Sequence, residues 1–338
     1  MKFTPKEFLV QIRSVLVFAA ASLLSLSISS PTILAAPLGS SASSVYVIQN
    51  DPTTGAGSVL QFPAKSRGLV APTRLLSAPT DLSLDAVATD AAGNIYVSAT
   101  VTASPARYEL LEYSVDATGT ATLTRTLTNL PAIATAIAVD SAGEVYALNG
   151  NSISVFAATA DGDAAPTRVI AGDNTQLNDA TAIAVDGAQN VYVANTEGRN
   201  VLVFAANATG NVAPARTIAG SATGITQPWG VAVDASGNLF VTSSTTAQPT
   251  MNAQILTFAP GADGDAAPIQ TQHLDVYNVA SGIAVDAAGN RYTTLANVST
   301  LQLSVGIYPA GGSNDNATAQ TIAPTAWTAA KEGQIAIH

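Results

Sequence analysis

Cysteine is absent from all 338 residues. A disulfide framework is therefore excluded, and stability has to come from packing. Basic residues are scarce as well, with 13 Lys and Arg against 23 Asp and Glu. Setting aside Lys2, Lys6, Arg13 and Glu7, which fall in an N-terminal segment of separate character, leaves 10 basic and 22 acidic residues, a net charge of −12. Lys65 and Lys331 are then the only lysines. Nucleic acid and anionic membrane surfaces are not expected partners, since both need a basic patch. Histidine is limited to His273 and His338. Beyond the first 35 residues no apolar run is long enough to cross a bilayer, and no stretch shows the apolar spacing of three and four that marks a surface helix.

What is present at the N-terminus reads as a secretory signal over residues 1–35, followed by a short linker over 36–42. Lys2, Lys6 and Arg13 form a basic start, Ser14 to Ser30 is mostly apolar, and Pro31 to Ala36 is a small-residue exit with Ala35 as the expected last residue removed. The alternative is an uncleaved membrane anchor, although the run is short for a span of about 20 residues. With no cysteine after the signal, a lipid anchor is excluded. The protein is expected to be secreted or periplasmic and, once the signal is cleaved, free of the membrane and monomeric. The remainder is rich in Ala, Thr, Val, Asn and Gly, the composition of strands and turns.

One pattern recurs: AVATDAAGNIYV (86–97), AIAVDSAGEVYA (136–147), AIAVDGAQNVYV (182–193), GVAVDASGNLFV (230–241) and GIAVDAAGNRYT (282–293). Its aspartates, Asp90, Asp140, Asp186, Asp234 and Asp286, are spaced by 50, 46, 48 and 52 residues. Each copy is a short apolar strand, a D-x-x-G-N turn and a second strand carrying Tyr or Phe. Asp and Asn bond their own backbone in turns and Gly accepts positive φ, so the link is a β-hairpin. Gln189 stands where the other copies have glycine, and that turn is expected to be different or strained. A third strand ending in an aromatic (VLQF 59–62, LLEY 110–113, ISVF 153–156, VLVF 201–204, ILTF 255–258, VGIY 305–308) and a fourth (TRLL 73–76 through AQTI 319–322) follow each time. Four strands in nearly fifty residues point to an all-β fold, a β-propeller of four-stranded blades.

The second, third and fourth strands occur six times, starting with VYVI (45–48), but the first strand occurs only five times before the tail. ARTIAGSATGITQPWGVAVD (215–234) aligns without a gap on AQTIAPTAWTAAKEGQIAIH (319–338), so QIAIH supplies the missing first strand of the N-terminal blade. Six blades follow: 43–80 with 334–338, then 81–130, 131–180, 181–226, 227–279 and 280–327. Pairing of the tail beside residues 45–48 closes the ring and removes an open edge. Ala88, Ala138, Ala184, Ala232, Ala284 and Ala336 alternate with Ile, Val or Thr on the inner strands, giving each blade a small face and a large one.

The aromatic-ended strands and the D-x-x-G-N-x-Y-V hairpin resemble NHL-repeat propellers, a group that includes the sugar-lactonase-like six-bladed proteins. The resemblance covers nearly all of residues 43–338, and its motif residues are structural.

Propellers bind ligands at the central mouth. The position five before each aspartate should ring it: Asp85, Thr135, Thr181, Trp229, Ser281 and, from the tail, Gly333. The next position is mostly small (Ala86, Ala136, Ala182, Gly230, Gly282 and Gln334), and nearby loops add Asn195, Glu197, Arg199 and Tyr277. One tryptophan, one carboxylate and three hydroxyls suit a sugar-like or peptide ligand through stacking and hydrogen bonding. The competing reading makes them ordinary solvated loop residues.

The catalytic inventory is thin. With His273 in an outer strand and His338 on the face opposite the mouth, a Ser-His-Asp arrangement and a histidine-bound zinc are disfavoured. The resemblance implies that lactonase-like relatives hold a divalent metal with Glu, Asn and Asp. Here only Asp85 occupies a ring position, with Asn195 and Glu197 in a loop, so no catalytic residue, metal ligand or cofactor is assigned. The recurring aspartates are expected to cap hairpins. DGD at 161–163 and 263–265 is expected to form tight turns in preference to calcium sites. Arg74, Arg125, Arg168 and Arg216 are expected to blunt the outer strands. Sequons at Asn207, Asn297 and Asn316 matter only if the source glycosylates. Two classes remain: an exported propeller that binds or scaffolds a protein, peptide or glycan, which is favoured, and a metal-assisted lactonase-like hydrolase or lyase. Deleting Gly333 to His338 is expected to lower the melting temperature sharply; an unchanged thermal transition would count against ring closure.

Overall fold

A computed structural model describes residues 43–51, 54–102, 105–128, 130–244, 253–274, 278–297, 302–311, 320–324 and 335–338. It is built from the hairpin upward. In each D-x-x-G-N turn one aspartate oxygen accepts two backbone N–H groups, as Asp90 does from Ala92 and Asn94 at 2.9 Å each. The other oxygen accepts the asparagine side chain (Asn94 Nδ2, 2.8 Å) and the tyrosine hydroxyl two residues on (Tyr96, 3.2 Å). Asp186 with Tyr192 and Asp286 with Tyr292 repeat the arrangement. These aspartates are structural caps.

The hairpins extend into six four-stranded antiparallel blades. From the axis outward, blade 2 is Leu82–Thr89, Ile95–Val101, Arg107–Tyr113 and Arg125–Leu127, and blade 4 is Ala182–Val185, Val191–Asn195, Asn200–Phe204 and Arg216–Ile218. Blade 1 takes its innermost strand, Ile335–Ile337, from the tail and pairs it with Ser44–Asn50 in the register Val45↔Ile337, Tyr46↔Ala336, Val47↔Ile335. Ser44 and His338 add two backbone bonds, 2.7 and 3.1 Å. The ring is closed as the repeat count requires.

The core is six layers, one at each blade junction. Ala136 and Ala138 of blade 3 pack against Ile183 of blade 4, and Ala232 of blade 5 against Ile283 of blade 6. The large residue of each inner strand thus fills the space left by alanines on the preceding blade. The closing strand obeys the same rule: Ile335 packs on Ala284 of blade 6, while Ala336 receives Val87 of blade 2. Ile335 is buried and Ile337 half-buried, and full burial of such a side chain contributes about 1.5–3 kcal/mol.

The outermost strands are not left bare. In the loops before the fourth strands of blades 2 to 5 a glycine in left-handed conformation (Gly119, Gly162, Gly210 and Gly264) folds onto the outer strand of the preceding blade as a parallel bridge. Gly162 N–H donates to Thr126 O and Gly162 O accepts from Thr128 N–H, both at 2.8 Å. At the last junction the bridge lengthens into Gly68–Val70, which pairs parallel with Gln320–Pro324. The DGD motifs belong to this stitch: Asp161 accepts Thr126 N–H and Asp263 accepts Thr217 N–H across the junction. They are interblade clamps, a role beyond the tight turn read from sequence.

The repeated arginines also act between blades. Arg74 donates to Val115 O and Ala117 O of blade 2, Arg125 to Ala157 O, Ala158 O and Ala160 O of blade 3, and Arg216 to Ala262 O of blade 5. Arg125, Arg168 and Arg216 stack over Tyr96, Tyr146 and Tyr192 of their own blades, 5.5–5.8 Å from ring centroid. Arg168 is held on its own blade by Glu144, at 2.6 Å. Blades 5 and 6 have Gln270 and Gln320 at this position, yet guanidinium groups remain at both junctions. Arg291, on the second strand of blade 6, donates to Pro309 O at 2.7 Å, and Arg67, in the loop of blade 1, donates to Ala64 O and Ser66 O. The carbonyls of that loop are covered from a different chain position.

Arg291 occupies a slot that is Ile95, Val145, Val191 or Leu239 in other blades. It is 1% exposed, Nε and Nη1 have no hydrogen-bond partner among the described residues, and burial pushes its pKa below the ordinary value, with the Tyr308 hydroxyl acting the other way. An unmade buried bond costs about 1–3 kcal/mol, so moving the guanidinium back to the half-exposed outer strand should help. Arg291→Leu combined with Gln270→Arg is expected to exceed Arg291→Leu alone by about 1 kcal/mol in urea unfolding. A double variant no more stable than the single would remove the idea that this junction uses a guanidinium.

Candidate functional site

The loops that lead into the first strands, with those joining second to third strands, form the mouth face. Behind it the inner strands of all six blades enclose an axial cavity of about 210 Å³, lined by Ala88, Ala138, Ala184, Ala232, Ala284 and Ala336 among others.

Blades 4 and 5 share one lead-in design. Gly172 (φ 116°) and Gly220 (φ 130°) each open a single 3-10 turn, Asp173–Thr175 and Ser221–Thr223. The threonine hydroxyl closes it by donating to the glycine carbonyl, Thr175 to Gly172 at 2.6 Å and Thr223 to Gly220 at 2.7 Å. The next residue is left-handed: Gly224 (φ 71°) in blade 5, Gln176 (φ 60°) in blade 4. A non-glycine residue pays roughly 1–2 kcal/mol for that conformation. Leu177 and Ile225 then tuck into the core, and the following N–H is received by the second strand, Asn178 by Asn195 Oδ1 at 2.7 Å and Thr226 by Ser243 Oγ at 3.0 Å. The G-x-x-T pattern at 172–175 and 220–223 was the sequence signal for this pair of loops, and strand counting alone passes over it.

The residues expected to ring the mouth have their polar groups largely engaged by the second strands of their own blades. Asp85 is 5% exposed and accepts Thr100 Oγ1 at 2.7 Å. Thr135 is exposed and bonded to Leu148 O. Thr196 Oγ1 donates to Pro228 O at 2.6 Å, and Thr181 Oγ1 shares its proton between Thr196 Oγ1 at 2.7 Å and Trp229 O at 3.0 Å. Ser281 Oγ bonds Thr294 Oγ1 at 2.8 Å, and its carbonyl accepts Thr242 Oγ1 at 2.6 Å. A Cβ on Gly230 would stand 2.3 Å from Ser281 O, so the small residue there is a steric requirement. Trp229 is partly exposed, with its Nε1 buried and lacking an acceptor among the described residues.

Asn195 is 1% exposed; its Oδ1 accepts Asn178 N–H and its Nδ2 donates to Gln176 O and Asn200 Oδ1. Both ends of the carboxamide hold the loop. Glu197 and Arg199 are exposed beside it. Asp85 lies on blade 2 whereas Asn195 and Glu197 lie on blade 4, and among the described residues no three His, Cys, Asp or Glu side chains gather as a metal-holding group. Tyr277 and Gly333 lie outside the described residues. His273 is exposed on the outermost strand of blade 5, and His338 contacts Ala91 O on the hairpin face.

No protein-family model matches the sequence, and no curated protein does. Solved structures of similar chain path include a humanized mutant of the Chaetomium thermophilum Polycomb Repressive Complex 2 bound to an inhibitor (9% identity, 79% of this chain and 68% of that chain, TM-score 0.48). A quinonprotein alcohol dehydrogenase-like protein from Bacteroides thetaiotaomicron gives 13% identity over 86% of this chain and 68% of that chain, TM-score 0.47. Catalytically inactive virginiamycin B lyase from Staphylococcus aureus with quinupristin gives 10% over 88% and 89%, TM-score 0.47.

Burial would raise the pKa of Asp186, but bonds from Asn190, Tyr192 and Ala188 outweigh it and hold the value below the ordinary one. A carboxyl depressed on folding stabilises the protein above its unfolded pKa, about 3.9, and that contribution is lost as pH falls through the folded value. Asp186→Asn is therefore expected to flatten the acid limb of a stability profile from about pH 5 downward. An acid limb identical to that of the parent would show that this carboxylate is not among the groups responsible.

Proposed function

We propose that this chain is an exported NHL-type propeller that acts as a binding or scaffolding module, taking a protein, peptide or glycan at its central mouth. The observation that carries the reading is Trp229: a partly exposed indole on the mouth ring, its backbone fixed by Thr181, with polar loops on its blade 4 side. A rigid aromatic with hydrogen-bonding neighbours is a recognition surface without being a catalyst. Export is supported by the basic, apolar and small-residue sequence of the first 35 residues, and the NHL assignment by the Asp–Asn–Tyr hairpin network.

The alternative, a metal-assisted lactonase-like hydrolase or lyase, rests on Asp85 at the mouth. It would need ligands that Asn195, with its carboxamide committed to a loop, does not offer in this arrangement. Two measurements on the purified protein separate the classes. A thermal-shift screen with sugars and peptides is expected to give a shift that Trp229→Ala abolishes. No bound divalent ion, and no shift with calcium, zinc or manganese, would remove the enzyme reading; a stoichiometric ion would instead overturn the preference for binding alone.

A further inference from the structure

Resting on that mouth reading, we infer that the blade 4 sector of the mouth is a contact surface for a neutral oligosaccharide, with Gln176, Asp179, Glu197 and Arg199 as hydrogen-bonding groups beside the Trp229 platform.

The argument starts from backbone conformation. Among the described residues, five that are not glycine have positive φ: Gln176, Asp179, Gln189, Arg199 and Asn207. Asn207 is of a type that tolerates it. Gln189 is compensated, because its Nε2 donates to Asp140 Oδ2 at 2.8 Å across the junction. The other three are neighbours on one rim, at φ 60°, 52° and 55°. Of these, Gln176 and Arg199 are of types ill suited to that region, and the sister loop of blade 5 makes the same turn with Gly224. Strain at exposed residues that glycine would relieve is a sign that the side chains serve something beyond the fold.

Those side chains are spare. Gln176, Asn178, Asp179, Glu197 and Arg199 are exposed, and among the described residues their side chains make no hydrogen bond or ion pair, whereas their backbones are locked in place. Asn195 pins both loops, Glu197 N–H bonds Asn178 O at 3.3 Å, and Asp179 N–H is received by Asn151 Oδ1 at 3.1 Å. The Thr181 bond to the Trp229 carbonyl joins this rim to the backbone that carries the indole. The result is a preorganised set of planar amide, carboxylate and guanidinium groups on the blade 4 side of Trp229.

Chemistry selects the ligand. Two carboxylates against one guanidinium on a chain of net charge −10 disfavour a polyanion. An extended peptide would need a free strand edge or apolar side-chain pockets. The outer edges of blades 1 to 4 and 6 are stitched to the next blade, the edge of blade 5 lies on the outer rim, and the exposed large apolar residues among those described, Leu69, Leu75, Val169 and Ile269, sit on or beside the outermost strands, away from the mouth. A polyol has no charge to match, pairs well with planar donors and acceptors, and presents a ring face to tryptophan.

The test uses full-length protein and calorimetric titration with cellohexaose, xylohexaose, mannohexaose, maltohexaose and chitohexaose, alongside a pool of unstructured hexapeptides. At least one sugar is expected to bind. Gln176→Gly and Arg199→Gly should each weaken it by about tenfold while leaving the melting temperature equal or higher, since each also relieves the backbone. Sugar affinity unchanged in both variants would overturn the inference, as would binding to none of the five sugars. If peptides bind and Trp229→Ala abolishes that binding, the mouth reading survives and only the glycan assignment falls; if nothing binds, both fall.

Discussion

Pairing of three residues at the tail, Ile335 to Ile337, with Val45 to Val47 is the contact on which the remaining geometry depends. A propeller has no self-contained blade core; each apolar layer is shared by two neighbours. The tail strand supplies Ile335 to the layer between blades 6 and 1 and Ala336 to the layer between blades 1 and 2. Removing it would leave two of six layers incomplete at their innermost point and expose the edge of Ser44–Asn50. Because the mouth loops spring from the starts of the inner strands, the spacing of every ring residue is set by whether those strands are held at a common distance from the axis.

A second principle is that roles persist while positions move. Blade 3 has Glu144 where its hairpin aspartate would find an asparagine donor, and a glutamate cannot donate when ionised. Gln189 of blade 4 makes up the bond to Asp140 from across the junction, which explains why that one turn can hold a glutamine at φ 63°. Arg291 and Arg67 bring guanidinium groups to the two junctions whose outer strands carry glutamine. Repeats in a closed ring are free to do this because each junction has two walls, and either can contribute the group that satisfies the loop carbonyls.

That freedom also marks what the sequence discloses. Period, strand count and ring closure are legible because turn chemistry and alternation are local and repeat five or six times. The purpose of the arginines and of the DGD pairs is not, since it lies across junctions that the chain order does not place side by side. The mouth is legible as a set of positions and misleading as a set of chemistries. Asp85, Thr181 and Ser281 are expected from sequence to offer polar groups to a ligand, and those groups are bonded to Thr100, Thr196 and Thr294. Asn195 looks like a ligand residue from its loop context and is in fact the peg of that loop.

The same distinction explains where recognition chemistry has to be sought in such a ring. Hydroxyls of the second strands cross to the next blade, Ser98 to Ala134 O, Thr196 to Pro228 O and Thr242 to Ser281 O, so short polar side chains close to the axis are consumed in holding the wedges together. Groups free to meet a partner must stand farther out, on loops whose backbones are already fixed, and must be long enough to reach beyond them. Blade 4 meets those conditions with residues whose backbone conformation favours glycine, and blade 5 meets them with an indole. On the binding reading proposed above, a mouth assembled in this way would engage a ligand through its rim, and those loops could change one by one without disturbing the bonds that keep the ring closed.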